Sequence, residues 1–237
     1  MPQKSNFLVA LAAICVLTTS APTMAQALEG SLIQPTAVTT TAAEIGLPLD
    51  NLINQSGLST GYTSGVTLAT SVASTTHSNV AISNGWASSQ PDGFSSFFLS
   101  FDLGAAESIA AVRLWSTTIN TGGADGDVED FLVFADSDND PTNGGLISLG
   151  SFTSADQTQI ANDRPAEDFA LNLSTSQFFH LQINSNRGDV NNLDSTVTSL
   201  GEVAFITVSA IPEPSAVLLL GAMAGGLMTR RRRNLLA

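Results

Sequence analysis

Short runs of alternating apolar and polar residues, separated by turn-forming residues, dominate the chain between residues 28 and 210. Residues 99–103 read Leu-Ser-Phe-Asp-Leu, and Gly104 ends the run. A period of two places successive side chains on opposite faces of a β-strand. Further candidate strands are residues 109–115, 131–135, 146–152, 169–173, 179–183 and 203–208. Helical periodicity of any length is absent from this region, so the pattern predicts an all-β domain.

The spacing of these runs, with Gly, Asn and Asp between them, favours a single β-sandwich jelly roll. The run from Phe131 to Ala135 is apolar on both faces, which is typical of a central strand. Residues 29–48 are rich in Thr and Ala and are predicted to be partly a flexible lead-in. No linker divides the body, so we assign residues 28–210 to one domain.

The N-terminus has the order of a secretory signal peptide. Lys4 precedes an apolar run from Phe7 to Leu17, and small residues follow up to Ala27. We therefore expect residues 1–27 to pass the secretion translocon and to be removed by signal peptidase. A buried N-terminal helix, the alternative, explains neither the leading charge nor the small residues. The chain's one cysteine, Cys15, lies in this segment, so the mature body has no thiol for disulfides or cysteine catalysis.

The C-terminal segment, residues 211–237, has the features of a membrane tail. An apolar stretch at residues 216–228 is shorter than the ~20 residues that span a bilayer comfortably. The arginines that follow it are expected in the cytoplasm, which places the body outside. Two prolines keep Glu213 in an extended segment beside the membrane, where a processing enzyme could reach it.

This tail resembles a PEP-CTERM sorting signal. The matching residues are Pro212, Glu213, Pro214, Arg230, Arg231, Arg232 and Arg233. The resemblance implies recognition by exosortase, a membrane-embedded cysteine transpeptidase of Gram-negative bacteria that make exopolysaccharide. It also implies transient residence in the inner membrane, followed by transfer to the cell surface or extracellular matrix. An ordinary tail anchor is the alternative.

The charge of the body is strongly acidic. Of the eight basic residues, Lys4 and four terminal arginines lie in the targeting segments, which leaves only Arg113, Arg164 and Arg187 in the body. The chain has twenty-one Asp and Glu residues. Such a body repels phosphate backbones, so nucleic acid is excluded as a partner. The acids could hold divalent cations, but a solvated acidic surface is the favoured interpretation.

Several stretches of the body, in order, resemble a discoidin or coagulation-factor type C domain. They are residues 51–58 (Asn-Leu-Ile-Asn-Gln-Ser-Gly-Leu), 86–88, 101–104 (Phe-Asp-Leu-Gly), 112–115, 131–137, 178–183 and 200–203. The match covers roughly residues 45–208 and implies the galactose-binding jelly-roll fold. It also implies non-catalytic binding of glycans, lipid headgroups or proteins through loops at one end of the sandwich.

The same resemblance implies a structural calcium ion, held by an early loop and by a glutamate near the last strand. The corresponding residues are Asp50, Asn51, Asn54, Ser56 and Glu202. Calcium takes six to eight oxygen ligands, which carboxylates, amides and carbonyls can supply. Relatives often carry Asp-Gly in this loop, where this chain has Asn54 and Gln55, and a hydrogen-bonded loop without calcium is the alternative.

A second acidic cluster contains Asp125, Asp127, Glu129, Asp130, Asp136, Asp138 and Asp140. Asp136, Asp138 and Asp140 have the Asp-x-Asp-x-Asp spacing with which an EF-hand loop starts. Pro141 and Ile147, however, occupy the positions of the required glycine and bidentate glutamate, so an EF-hand is rejected. A looser calcium site and solvated hairpin loops remain, and the loops are favoured.

Aromatic and basic residues supply the candidate ligand contacts. Trp86 and Trp115 could stack on a sugar, although buried tryptophans are the commoner case. The arginines of the body could each pair with a sugar hydroxyl or with a nearby acid, and we expect Arg113 to face an acidic neighbour.

Enzyme chemistry finds little support in the sequence. The only histidines are His77 and His180, and no nucleophile elbow, zinc helix or phosphate-binding glycine loop is present. We therefore predict a non-enzymatic surface or extracellular-matrix protein, sorted by exosortase and associated with exopolysaccharide. The alternatives are a glycan-specific lectin and, more remotely, an extracellular glycosidase with paired carboxylates.

Overall fold

The computed structural model describes residues 30–68, 74–78, 84–89, 94–117, 126–157, 163–187 and 197–208. The predicted signal peptide and sorting tail lie outside these residues. The described part contains a 3-10 helix, Leu49–Leu52, and the strands β1 (Leu32–Ile33), β2 (Ala37–Thr40), β3 (Thr76–His77), β4 (Trp86–Ser89), β5 (Phe97–Trp115), β6 (Asp130–Asp136), β7 (Ile147–Thr153), β8 (Arg164–Ile183), β9 (Val197–Leu200) and β10 (Glu202–Thr207). All pairs between these strands are antiparallel. The prediction of an all-β body is confirmed, whereas its jelly-roll connectivity stays a prediction.

Two long strands replace four of the predicted short ones. The runs at residues 99–103 and 109–115 both belong to β5, and the runs at residues 169–173 and 179–183 both belong to β8. The sequence predicted that Gly104 ends a strand, but in the structure β5 continues through it. With a φ of 79° it bends β5, and the β5–β8 register shifts between Asp102 and Glu107. A left-handed backbone is open to glycine at little cost, so the strand continues through the bend.

The bend divides the sheet into two layers. In one layer the first half of β5 lies between β2 and the second half of β8, which continues to β6 and β7. In the other layer the second half of β5 lies between β10 and the first half of β8, with β1 and β3 at the edges. A separate ribbon is formed by β4 and β9.

The core lies between these layers and is rich in phenylalanine. The ring of Phe205 on β10 is 5.6 Å from that of Phe101 on β5 and 5.2 Å from that of Phe179 on β8. Phe131 on β6 meets Phe169 on β8 edge to face at 4.9 Å. These pairs join residues from opposite layers, so the alternation seen in the sequence becomes one shared apolar interior.

The predicted flexible lead-in is instead partly strand. β1 pairs with β10, and β2 pairs with the first half of β5. Leu32 and Val38 are buried there. This Thr-rich segment forms strands because β10 and β5 each have an open edge, which pairs with its backbone hydrogen-bonding groups. Its own composition gave no sign of them.

Substituting Phe205 by alanine is expected to lower the free energy of unfolding by about 3–5 kcal/mol, because a buried ring is replaced by a cavity between the layers. The matched control is Leu173→Ala on β8, where the side chain is 62% exposed and the loss should stay within about 0.5 kcal/mol. Urea denaturation of both variants makes the comparison. Equal losses would show that the core is not where the structure places it.

Candidate functional site

One end of the sandwich collects polar side chains. β5 ends there, whereas β6 and β8 begin there, and we call it the loop end. Its central residues, which we call the loop-end network, are Asp127, Glu129, Gln157, Arg164 and Arg187. Backbone hydrogen bonds fix the segments that carry them. The N–H of Arg187 donates to the carbonyl of Asp127, and the N–H of Gly126 donates to the carbonyl of Arg187.

The buried part of the network is an ion pair. Nη1 of Arg164 donates to Oδ2 of Asp127, and both side chains are about 1% exposed. Burial raises the pKa of the Asp127 carboxyl to about 6, although the guanidinium of Arg164 acts in the opposite direction. Oδ1 of Asp127 and Nε of Arg164 have no hydrogen-bond partner among the residues that the structure describes. This pair therefore keeps hydrogen-bonding capacity that the fold does not use.

The more accessible part of the network is the pair of Arg187 and Glu129. Nη1 of Arg187 lies 3.0 Å from Oε1 of Glu129, and their side chains are 17% and 34% exposed. Arg187 also donates to the carbonyl of Ser154. Gln157 donates to Glu167 at 2.8 Å. Nε of Arg187 and Oε1 of Gln157 have no partner in the described part of the chain. The sequence analysis named Asp127 and Glu129 in an acidic cluster, but it did not pair them with arginines, because Arg164 and Arg187 lie far from them along the chain.

All three arginines of the described residues are paired with acids. Besides the two pairs above, Nε of Arg113 lies 2.6 Å from Oδ1 of Asp168, and its guanidinium stands over the ring of Trp115 at 5.6 Å. The expectation that Arg113 faces an acidic neighbour is confirmed.

The predicted calcium residues are only partly brought together. Glu202 is buried at the start of β10 and accepts a 2.9 Å hydrogen bond from the backbone N–H of Gln55. Asn51 in the 3-10 helix and Asn54 in the loop after it are joined by a 3.2 Å side-chain hydrogen bond. The side chain of Asp50 is exposed. Among the described residues no three His, Cys, Asp or Glu side chains converge on a metal position.

The donor set of this loop does not fit a calcium ion. The side-chain oxygen of Asn51 accepts from Asn54, and that of Asn54 accepts from the backbone N–H of Ser56 at 2.8 Å. The loop turns an N–H, not a carbonyl, toward Glu202. Oε1 of Glu202 is buried and has no partner among the described residues, and it is one oxygen where calcium takes six to eight.

Burial also changes the acidity of this region. It raises the pKa of the Glu202 carboxyl to about 9, against the weaker opposing effect of the Gln55 N–H. Burial and the neighbouring Glu202 raise the pKa of the Tyr62 phenol as well. Glu202 is therefore expected to be protonated at neutral pH.

Both tryptophans lie inside the protein. Trp86 packs against Phe97, Trp115 stacks on Tyr62, and each indole is 0% exposed. The indole N–H of Trp115 donates to the carbonyl of Thr75 at 2.9 Å. Their burial argues against the prediction that they stack on a sugar, since neither ring offers a face to solvent. It agrees with the alternative, buried tryptophans.

The second acidic cluster is divided between the two ends of β6. Asp127, Glu129 and Asp130 lie at the loop end, and Asp125 lies outside the described residues. Asp138 and Asp140 are exposed in the hairpin between β6 and β7, where they accept hydrogen bonds from Asn143 and Thr142. This position supports the interpretation of that part as a solvated hairpin loop.

The two histidines are buried, and their ring nitrogens lie close to polar groups of the protein. Nδ1 of His180 is 2.8 Å from the hydroxyl of Ser100, and its Nε2 is 3.6 Å from Oδ2 of Asp136. These are residue types of a hydrolytic triad, but all three are buried, so the serine is closed to a substrate. Burial lowers the pKa of both His180 and His77.

In the part of the chain that the structure describes, no helix is long and apolar enough to cross a membrane. The sorting residues Pro212, Glu213, Pro214 and Arg230–Arg233 lie outside that part.

Comparison with known proteins gives structural similarity only. No family model matches the chain, and no curated protein matches it. Among solved structures, the CBM32-3 carbohydrate-binding module from a family 31 glycoside hydrolase of Clostridium perfringens is 11% identical, with a TM-score of 0.48 over 74% of this chain and 90% of that one. The CBM32-1 and CBM32-2 domains of ZmpB from the same organism are 8% identical, with a TM-score of 0.49 over 76% and 37%.

A third similar structure is the CBM32 of AlyQ in complex with 4,5-unsaturated mannuronic acid. It is 22% identical, with a TM-score of 0.43 over 73% of this chain and 96% of that one. All three TM-scores are below 0.5, so the all-β assignment rests on the strand pairing described above.

The raised pKa of Glu202 predicts that stability falls with pH. The folded state holds the carboxyl proton up to about pH 9, whereas the unfolded chain releases it near the ordinary value of 4.5. The contribution of this group is therefore complete below the unfolded pKa and is lost as pH rises toward 9, at up to about 1.4 kcal/mol per pH unit.

Between about pH 7 and about pH 8.5, wild-type protein in calcium-free buffer should lose about 2 kcal/mol of unfolding free energy that Glu202→Gln does not lose. Urea denaturation at several pH values measures the difference in slope. The histidines add little to it, because their pKa values are lowered from 6.5. Parallel slopes for the two proteins would show that the carboxyl does not hold its proton in the folded state.

Proposed function

We propose that the protein is an exported, non-catalytic surface or matrix protein whose β-sandwich binds a polysaccharide at its loop end. The observation that carries this proposal is the loop-end network. It places a partly exposed carboxylate–guanidinium pair, Glu129 with Arg187, beside the buried pair of Asp127 and Arg164. A carboxylate accepts hydrogen bonds from sugar hydroxyls and a guanidinium donates to them, so the pair presents both functions that a polyol requires.

The charges favour a neutral or weakly charged glycan over an anionic polymer. Each arginine of the described residues is already paired with an acid. The chain as a whole carries a formal charge of −13, and five of its eight basic residues lie at the termini and not in the body. An anionic polymer would meet repulsion across the body without an unpaired cation to hold it. Nucleic acid is disfavoured for the same reason.

Binding is expected to depend on Arg187 and Glu129. In a polysaccharide pull-down and glycan array with the host's own exopolysaccharide, Arg187→Gln and Glu129→Gln should each weaken binding about ten- to hundred-fold, as loss of a charged hydrogen bond does. The control is Asp140→Asn, an exposed acid at the other end of β6 that should bind like the wild type. Unfolding midpoints verify that the variants are folded.

Two results of that experiment would contradict binding at the loop end. Wild-type protein that retains no glycan at all would favour a purely structural surface protein. Binding that is equally strong in all three variants would place the ligand elsewhere on the sandwich.

The route to the surface is proposed from the tail. Pro212, Glu213 and Pro214, an apolar segment and four arginines follow one another at the end of the chain, in the order of a PEP-CTERM signal. Exosortase is the proposed partner, and the inner membrane is the proposed transient location. A lectin and a structural matrix protein share this route, so sorting does not distinguish them.

Intact-mass analysis of protein from the envelope and medium of the native host tests the route. The wild type is expected to lose its tail near Pro212, and Glu213→Ala is expected to keep it. A tail that stays intact in the wild type would identify a plain membrane anchor instead. Cleavage that continues unchanged in Glu213→Ala would show that another protease removes the tail.

A further inference from the structure

The loop between the 3-10 helix and Gly57 contains a residue with an unusual backbone conformation. Gln55 has a φ of 63° and is the one non-glycine residue with a positive φ in the described ranges. Residues other than Gly, Asn and Asp seldom adopt this conformation, so other contacts must hold it. Those contacts come from the glutamine itself.

The side chain of Gln55 clamps a neighbouring segment of backbone. Its Oε1 accepts the N–H of Tyr62 at 2.6 Å, and its Nε2 donates to the carbonyl of Tyr62 at 2.8 Å. The amide thus pairs with both polar groups of one residue, as a neighbouring β-strand would. Its backbone N–H meanwhile donates to Oε2 of Glu202.

A second glutamine, Gln34, is hydrogen-bonded to Gln55 and to the backbone just before it. Nε2 of Gln55 also donates to Oε1 of Gln34 at 2.9 Å, and Nε2 of Gln34 donates to the carbonyl of Ile53, two residues before Gln55. The two amides therefore connect the segment after β1, the loop and the segment around Tyr62. We call Gln34 and Gln55 the amide latch.

The local sequence leaves room for the latch. A Cβ atom added at Gly61 would lie 2.8 Å from Oε1 of Gln55, so the amide would have to shift. Glycine at position 61 thus allows the amide to reach Tyr62.

We propose that the amide latch holds this loop against Glu202 in place of a metal ion, so that the fold does not depend on calcium. The loop's side-chain oxygens support this inference, because those of Asn51, Asn54 and Gln55 all accept hydrogen bonds from within the protein. Hydrogen bonds between neutral amides thus do the work that the resemblance of the sequence assigns to a cation. This inference is independent of glycan binding.

Thermal unfolding of the full chain with EDTA, and then with excess calcium chloride, tests the proposal. A saturated site would raise the midpoint by several degrees. The wild type is expected to unfold at the same temperature in both conditions. A calcium-dependent rise that Glu202→Gln abolishes would overturn the proposal, whereas a rise that persists in Glu202→Gln would place the ion elsewhere on the acidic surface and leave the latch intact.

Two engineered chains test the latch directly. Asn54→Asp combined with Gln55→Gly removes the amide, supplies a carboxylate and suits the positive φ, so its midpoint should fall in EDTA and recover with calcium. Asn54→Asp alone is the charge-matched control, which retains the latch and should not respond to calcium. A calcium response of equal size in both chains would show that the glutamine does not replace the ion.

Gly61→Ala provides an independent readout. Its methyl group displaces the Gln55 amide without touching Glu202, so the midpoint in EDTA should fall. Combined with Gln55→Ala, which already lacks the amide, the same substitution should cost much less. Additive losses in the double variant would show that Gly61 and Gln55 act separately and would count against the latch.

Discussion

The antiparallel pairing of β5 with β8 is the constraint on which the rest of the structure depends. The two strands run beside each other from Phe97 and Ile183 to Trp115 and Ala166. Because both pass through the bend, one pair of strands contributes to both layers of the sandwich. Every other strand of the main sheet is attached to this pair, directly or through one neighbour. The phenylalanine core forms where the two halves face each other.

The same pairing creates the loop end. Where β5 ends and β8 begins, the segments before β6, after β7 and after β8 meet. Arg164, Arg187 and Asp127 come from separate parts of the chain, and the fold places them in one polar network. A buried ion pair is a weak source of stability, because desolvation offsets much of the attraction.

The loop beside Glu202 is held in place by hydrogen bonds. A buried carboxyl needs a compensating cation, a proton or hydrogen-bond donors. Here the donor is the backbone N–H of Gln55, and a pair of glutamine amides holds that backbone in place. The resemblance of the sequence to discoidin domains predicted that this loop lies beside Glu202. The direction in which the backbone N–H points decided what kind of contact forms there.

The sequence by itself determined the all-β class and most of the core, because a two-residue period specifies which side chains face inward. It also indicated the neighbourhood of Glu202 and the acidic partner of Arg113. Only the tertiary structure showed that four runs form two bent strands, that both tryptophans are buried, and that Arg187 meets Glu129. Each of these depends on contacts between distant residues, whereas periodicity records only what neighbouring residues share. The formation of β1 and β2 also depends on distant residues, since a strand with weak local preference is fixed by the strand it pairs with.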